Sequence, residues 1–499
     1  MTPTTPGPAT FFGHPRGLST LFFIEFFERY SYYGMRAMLV LFLTQAAAHG
    51  GLGVDSLTAG AIYGLYTSAA YLCCVPGGWI ADRLLGQQKS VWYGGILIAI
   101  GNFTLAVPIN GVFYFGLILT ALGTGLLKPN VSAIVGELYR DQPGAQRDAA
   151  FSIFYMGINL GAAVGPLLSG TIGETVNYRW GFFTVGVATV IGLVQYRATA
   201  HHLGSAGLVP HGSTPAQRSR SARPLLIGIC VLAVLIGAIA SGVIAVSAAQ
   251  LADFAKWFMV ALAVVFFGSV LLFGGLDAAA RKKVGVIIAF FVCAALFWAG
   301  FEQAGSTFNL FARDLTDRSF MGSFFEAHEH PATAYQAINS IFIILLSPFF
   351  AWLWVALGRR NLDPSAPLKF GLGLIQLGLG FAVLIFAAKL IIATGSKAGP
   401  QWLIATYFAH TCAELCLSPI GLSNVTKLAP RRFASQMMGM WFLGAALGNL
   451  AAGQIGGRIG SGVRTMPAEF LQMTTYALAG GLLMLAVSPI LRRWMGDVR

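Results

Sequence analysis

The sequence predicts an all-α integral membrane protein of about fourteen transmembrane helices, and three observations carry that prediction. Hydrophobic residues make up 56% of the 499 positions and charged residues only 10%, far below the roughly 25% charged residues of a soluble protein. Apolar runs of roughly 20 residues or more, long enough to cross about 30 Å of hydrocarbon as a helix, recur along the whole chain. The basic residues fall in alternate loops instead of on one domain.

The predicted spans are 18–47, 56–82, 88–109, 111–139, 148–173, 179–197, 224–250, 254–276, 284–312, 333–357, 369–394, 400–427, 432–456 and 468–491. With the N-terminus placed in the cytoplasm, about 21 Lys and Arg fall in cytoplasmic segments, about 7 in external segments and about 4 inside spans, the asymmetry that orients membrane proteins. Both termini are therefore expected to be cytoplasmic, and the net charge of +13 reads as topology, with no nucleic-acid partner. Residues 1–17 are rich in Pro and Thr and lack an apolar core, so no signal peptide is expected. Cys73, Cys74, Cys230, Cys293, Cys412 and Cys416 all lie inside apolar runs, where thiols act as small hydrophobes; neither a disulfide nor a metal site is expected. The 61 glycines suit helices that approach closely in lipid.

The expected organisation is an N-terminal six-helix bundle over 1–197, a cytoplasmic linker over 198–223 containing His201, His202, Arg218, Arg220 and Arg223, two extra helices over 224–283, and a C-terminal six-helix bundle over 284–499. An external loop at 313–331 has no legible role. Charged residues deep in a span cost about 2.5–3.5 kcal/mol each and normally face a bundle interior or a wet cavity. They occur here in span 1 (Glu25, Glu28, Arg29, Arg36), span 4 (Lys128), span 9 (Glu302) and span 12 (Glu414). Setting the two extra spans aside, these are helices 1, 4, 7 and 10 of a twelve-helix core. Every third helix carries charge, as expected of three-helix units repeated around a shared central cavity.

Glu25, Glu28, Arg29, Tyr32, Tyr33 and Arg36 share one face of the first helix. Such a stripe should line an aqueous path; the competing reading is that Glu25 and Arg29 only neutralise each other. Depth counted at about 1.5 Å per residue sets Arg29 and Lys128 level, with the two glutamates just below, as a coupled proton site or as a fixed salt-bridge network. The same count sets Arg36 level with Glu302, as an outer gate or as a permanent bridge. Glu414, opposite Arg36 and Lys128 in sign, suits a zwitterion whose ammonium pairs with the carboxylate and whose carboxylate meets the cations. Asn159 and Asn339 offer donors and acceptors for a peptide backbone, and Tyr33, Tyr71, Tyr155, Trp298 and Trp441 offer amphipathic walls, or ordinary packing. His410 shares the Glu414 face and reads as a satisfied core histidine, with a pH role as the alternative.

The stretch Glu25-Phe26-Phe27-Glu28-Arg29-Tyr30-Ser31-Tyr32-Tyr33-Gly34 resembles the E-x-x-E-R-F-x-Y-Y-G motif of the proton-dependent oligopeptide transporters. Three further stretches agree: Gly123-Thr124-Gly125-Leu126-Leu127-Lys128-Pro129-Asn130, Phe154-Tyr155-Met156-Gly157-Ile158-Asn159-Leu160-Gly161, and the Gly78–Gly86 loop typical of the major facilitator superfamily. The resemblance implies the major facilitator fold, two six-helix bundles with two extra helices between them, in the inner membrane of a bacterium, working as a monomer. It implies uptake of di- and tripeptides with protons by alternating access, and no other cofactor. Carried onto this chain, it gives proton coupling to Glu25, Glu28, Arg29, Lys128 and Glu302, and the outer gate to Arg36 and Glu302. The peptide amino group goes to Glu414, and the pocket to Arg36, Lys128, Tyr32, Tyr33, Tyr71, Tyr155, Asn159, Asn339, Trp298 and Trp441. Tyr30 stands where the family usually has Phe, and Ala162-Ala163 where Ser-Leu is common. No histidine lies in span 2, unlike animal members.

Two other transport-related readings are open from the residues alone: a relative that moves nitrate or another small solute, against which Glu414 argues, and a peptide sensor that does not transport. A membrane-embedded enzyme finds no support, because no His, Cys or Asp cluster has metal-ligand spacing and no nucleophile has a base at hand.

Overall fold

The computed structural model describes residues 10–140, 142, 144–208, 210, 215–459 and 462–496. The expectations about the extreme termini, and the side chains of Arg218 and Arg220, lie outside the described residues.

A short hairpin, β1 (Thr10–Phe11) and β2 (His14–Pro15), precedes the helices. The helices are α1 (Arg16–Thr44), α2 (Ser56–Leu72), α3 (Cys74–Ile80), α4 (Gln87–Ala106), α5 (Asn110–Leu138), α6 (Gly144–Gly165), α7 (Thr171–Thr175), α8 (Tyr178–Thr199), α9 (Pro215–Ala240), α10 (Ala248–Phe273), α11 (Ala278–Phe301), α12 (Thr307–Leu315), α13 (Tyr335–Arg359), α14 (Ala366–Thr394), α15 (Gln401–Leu428), α16 (Ala434–Ile459) and α17 (Met466–Met495). Among the described residues, 11 helical stretches are long and apolar enough to cross a membrane. The other three predicted spans are helical too, as α1, α4 and α16. Helix α1 falls short because its charges interrupt every apolar stretch; in α4 and α16 glycines and polar residues dilute the hydrophobicity.

Two boundaries differ from expectation for clear reasons. The run 224–250 looked continuous because the residues around Ser241-Gly242 are apolar. The chain nonetheless turns there, with Gly242 at φ 76°, and α10 begins on a capping box in which Ser247 and Gln250 satisfy each other's backbone N–H. The run 284–312 is broken at Glu302–Gly305, a single 3-10 turn, and Ser306 leaves helical geometry altogether at φ −122°, ψ −86°.

The packing divides the chain into two compact units, one within Met1–Met35 and Leu72–Val246, the other within Arg36–Tyr71 and Ser247–Arg499. By packing, therefore, Arg36–Tyr71 groups with the second unit and not with the remainder of 1–197.

In the first unit α4 lies along α5 and α8, and α3 against α5. Helix α6 meets α1 through Gly157, Gly161 and Gly165, one turn apart. A β-carbon on these would collide in turn with Phe22, with the Phe26 carbonyl and with the Tyr30 carbonyl. This ladder of missing side chains brings α6 onto the backbone of the charged helix, close packing being what drives helix association in lipid. Residues 200–208, expected to be linker, are docked. The Gln88 backbone N–H donates to Gly207 O at 2.9 Å and its Nε2 to Ala206 O at 2.7 Å. The Gly207 N–H donates to Glu137 Oε2 at 3.0 Å, and Leu203 is buried with Leu18, Val131 and Tyr139.

In the second unit α14 lies along α17 and α15, α11 along α16, and α10 against α16. Gly60 and Gly64 of α2 cross Gly453 of α16 in the same way as the α6 ladder. The 313–331 loop is clasped to the α14–α15 connection. Arg318 donates to His330 O and to Glu329 Oε2, each at 2.5 Å. Lys397 Nζ donates to Glu329 Oε1 at 2.7 Å and holds that carboxyl below the usual carboxylate range. The Asp317 N–H donates to Ala398 O at 2.7 Å.

Gly161→Ala is expected to lower the melting temperature in detergent, because overpacking a filled contact costs about 1–3 kcal/mol. A thermal unfolding curve followed by a thiol-reactive dye checks this; an unchanged midpoint would mean that α6 has room to move off α1.

Candidate functional site

The residues of the charged stripe separate into two clusters, one in each unit. In the first, Arg29 is 2% exposed and sits between Glu25 and Glu28, each also 2% exposed. Its Nε lies 3.4 Å from Glu25 Oε1 and donates to Glu28 Oε2. The guanidinium also lies over the Tyr32 ring, 5.1 Å from its centroid, and Tyr32 packs edge-on to Tyr33. Lys128, on α5 immediately before Pro129, is within electrostatic reach of Glu25, Glu28 and Arg29. Glycines on the same helix let α5 pack closely on its other neighbours: a β-carbon on Gly125 would collide with Cys73, and one on Gly123 with the Gly94 carbonyl of α4.

This first cluster is not saturated by protein groups. Glu25 Oε2, Glu28 Oε1 and Arg29 Nη2 are buried without a hydrogen-bond partner among the described residues. Buried polar atoms in that condition are uncommon and call for a reason. Arg29 engages one oxygen of each glutamate, so each carboxylate keeps an oxygen on which a proton can sit.

The second cluster is built from four helices. Arg36 Nη1 donates to Glu302 Oε2 at 2.7 Å, and its Nε to Gln336 Oε1 at 3.3 Å; the paired side chains are 4% and 2% exposed. Tyr63 of α2, fully buried, donates its hydroxyl to the Glu302 carbonyl at 2.9 Å and lies 3.4 Å from Oε2. The break after Phe301 frees that carbonyl, and Gly305 gives the Tyr63 ring its space, since a β-carbon there would strike the phenol.

Glu414 on α15 stands apart from this pair. Its Oε2 accepts from Asn339 Nδ2 at 3.2 Å, and the same Nδ2 donates to Thr411 Oγ1 at 3.0 Å. Glu414 and Asn339 are only partly buried. His410, one turn earlier, is fully enclosed: its Nε2 lies 3.1 Å from Leu377 O and its ring contacts Phe301, Phe308 and Phe381.

The expected pocket residues are placed unevenly. Tyr155 is 39% exposed, while Asn159 is buried and spends its amide N–H on the Tyr155 carbonyl. Tyr33, Tyr71 and Trp298 are partly buried, and Trp298 packs on Phe297 and Phe301. Trp441 is buried against Phe370 and fills the place where Gly421 lacks a side chain. Sequence reasoning missed Tyr63, Gln336 and Thr411. The signal available was spacing: Gln336 lies one turn from Asn339, Thr411 one turn from Glu414, and Tyr63 two turns from Tyr71. No group of His, Cys, Asp or Glu suited to a metal ion occurs among the described residues.

Comparison with known proteins decides the family. The model of the POT family matches residues 88–462. The chain belongs to the POT family. It is 40% identical over 508 residues to the peptide transporter YePEPT of Yersinia enterocolitica subsp. palearctica, covering 99% of this chain and 98% of the relative. It is 37% identical over 504 residues to a di-/tripeptide transporter of Lactococcus lactis subsp. lactis, covering 98% of each. Among solved structures, the crystal structure of peptide transporter POT in complex with sulfate superposes with a TM-score of 0.90 at 39% identity, over 98% of this chain and 97% of that one. The POT family is a family of transporters with the major facilitator fold, and this chain is one of its membrane proteins. The α1 stripe lies before the stretch that the family model matches, but within the span shared with both relatives.

Arg36→Met is expected to destabilise the protein by about 3–5 kcal/mol, because it strands a buried carboxylate. Glu302→Met should do the same, and the double variant should recover part of the loss. Melting temperatures of the four proteins check this; strictly additive losses would mean that the ion pair contributes nothing of its own.

Proposed function

We propose that this chain is a proton-coupled symporter that imports di- and tripeptides by alternating access. The observation that carries the proposal is the unsaturated charge cluster on α1, two buried carboxylates sharing one arginine with an oxygen to spare on each, in a chain of the POT family. Relatives named as peptide and di-/tripeptide transporters align over almost their full length, and those names supply the cargo.

In this reading Glu25 and Glu28 take up the coupling proton, and Lys128 and Arg29 stabilise the ionised state. Protonation of a glutamate loosens its hold on Arg29, so charge state and packing change together. Arg36 and Glu302 form a gate whose buried ion pair opens when Glu302 is protonated, and Tyr63 and Gln336 keep the two partners aimed at each other. Glu414 receives the peptide ammonium, and Arg36 and Lys128 are the cations for its carboxylate. Asn159 and Asn339 serve the peptide backbone, and Tyr32, Tyr33, Tyr71, Tyr155, Trp298 and Trp441 the side chains. The protein performs no covalent chemistry and uses no cofactor besides protons. It works as a monomer in a bacterial inner membrane, both termini cytoplasmic, as the distribution of loop charges favours.

In proteoliposomes under an inward proton gradient, labelled dialanine should accumulate; no gradient-dependent accumulation would overturn the proposal. Glu28→Gln should keep exchange of dialanine between equal pools while losing proton-driven accumulation. Equal loss of both activities would remove Glu28 from the coupling step. Glu414→Gln should bind peptides with a free amino terminus about tenfold more weakly, the size of a lost hydrogen bond to a charged group. An unchanged affinity in competition with labelled dialanine would contradict that role.

A further inference from the structure

Asn339 meets two acceptors on one side. Its amide nitrogen lies 3.0 Å from Thr411 Oγ1 and 3.2 Å from Glu414 Oε2. The Thr411 hydroxyl has already committed its proton, donating to the Tyr407 carbonyl one turn back on α15 at 2.7 Å. What it shows to Asn339 is therefore a lone pair. An ionised carboxylate also only accepts. Both hydrogens of the amide are thus assigned, and the amide cannot turn over without setting its carbonyl oxygen against two acceptors. Thr411 is itself completely buried and fixed by its helix, whereas Glu414 ends a flexible, partly exposed side chain.

We propose that Thr411 is a positioning residue for recognition of the peptide amino group. Its hydroxyl locks the orientation of the Asn339 amide, the amide engages one oxygen of Glu414, and the other carboxylate oxygen is thereby held ready for the ammonium. The lock does not depend on the state of Glu414. When a proton converts that carboxyl into a donor, Thr411 still presents a lone pair, and the amide keeps its orientation through the cycle. Without the hydroxyl, only Glu414 orients Asn339, and the carboxylate loses a fixed neighbour just when ligand arrives. This inference rests on the reading of Glu414 as the ammonium acceptor.

The test compares dialanine with its desamino analogue, N-propionyl-alanine, as competitors of labelled dialanine exchange in proteoliposomes. Thr411→Val has the shape of threonine without the hydroxyl and should lower the affinity for dialanine about fivefold, the size of a lost hydrogen bond between neutral groups, leaving the desamino analogue unchanged. Thr411→Ser restores the hydroxyl and should restore the discrimination; Thr411→Ala repeats the test should valine perturb folding. In an Asn339→Leu background, where the intermediary is gone, Thr411→Val should have no further effect. The proposal is overturned if Thr411→Val keeps wild-type discrimination while Glu414→Gln loses it, or if Thr411→Val weakens both ligands equally, as a merely structural defect would. If Glu414→Gln itself keeps the discrimination, the ammonium reading fails and this inference falls with it.

Discussion

An arginine held out of water must keep a carboxylate within reach, and α1 carries two such arginines seven residues apart. Each would cost several kcal/mol if left alone in a span, so the structure around each is arranged to answer its charge. The two answers differ. Arg29 is served from its own helix, by Glu25 and Glu28, and one oxygen of each carboxylate is left without a hydrogen-bond partner among the described residues. Arg36 is served from far along the chain, by Glu302 and Gln336, with Tyr63 holding the glutamate from its backbone side. A local, unsaturated cluster suits a group that gains and loses a proton. A long-range, well-engaged pair suits a contact that is made or broken as a whole, because removing either partner leaves a buried charge.

Backbone irregularity serves the same end. Helix α11 stops one residue before Glu302, and the 3-10 turn that follows exposes the carbonyl that Tyr63 takes. An uninterrupted helix would have consumed that carbonyl in its own ladder. The glycine ladder of α6 acts in the opposite sense, bringing a smooth backbone surface against the charged helix so that it is held without side chains intervening. Small residues fix where the helix lies, and charges fix what it can do.

Much of the fold was legible because the bilayer imposes a length and a composition on every span. Charged residues were legible for the same reason, being so costly in lipid that their positions stand out, and depth counting set Arg36 level with Glu302. Uncharged polar partners gave no such signal. Tyr63, Gln336 and Thr411 are marked only by their spacing from Tyr71, Asn339 and Glu414, a sign far weaker than a charge. The turn at 241–247 was hidden because its residues are as apolar as the helices it joins, although Ser247 and Gln250 were readable as a helix start. The docking of residues 200–208 was missed because glycine-rich, polar sequence reads as loose linker, whereas its backbone is bound by Gln88 and Glu137. The grouping of Arg36–Tyr71 with the C-terminal helices includes the meeting of Gly60 and Gly64 with Gly453, a contact that hydropathy cannot display.

In the proposed cycle the buried carboxylates tie the movement of a proton to the movement of a peptide. Proteoliposomes loaded with a pH-sensitive dye, at equal pH inside and out and with the membrane potential clamped, test it directly when dialanine is added outside. Acidification of the lumen that follows peptide entry, and vanishes in Glu28→Gln, is the predicted result. Peptide entry by the wild-type protein with no change in lumenal pH would contradict the account.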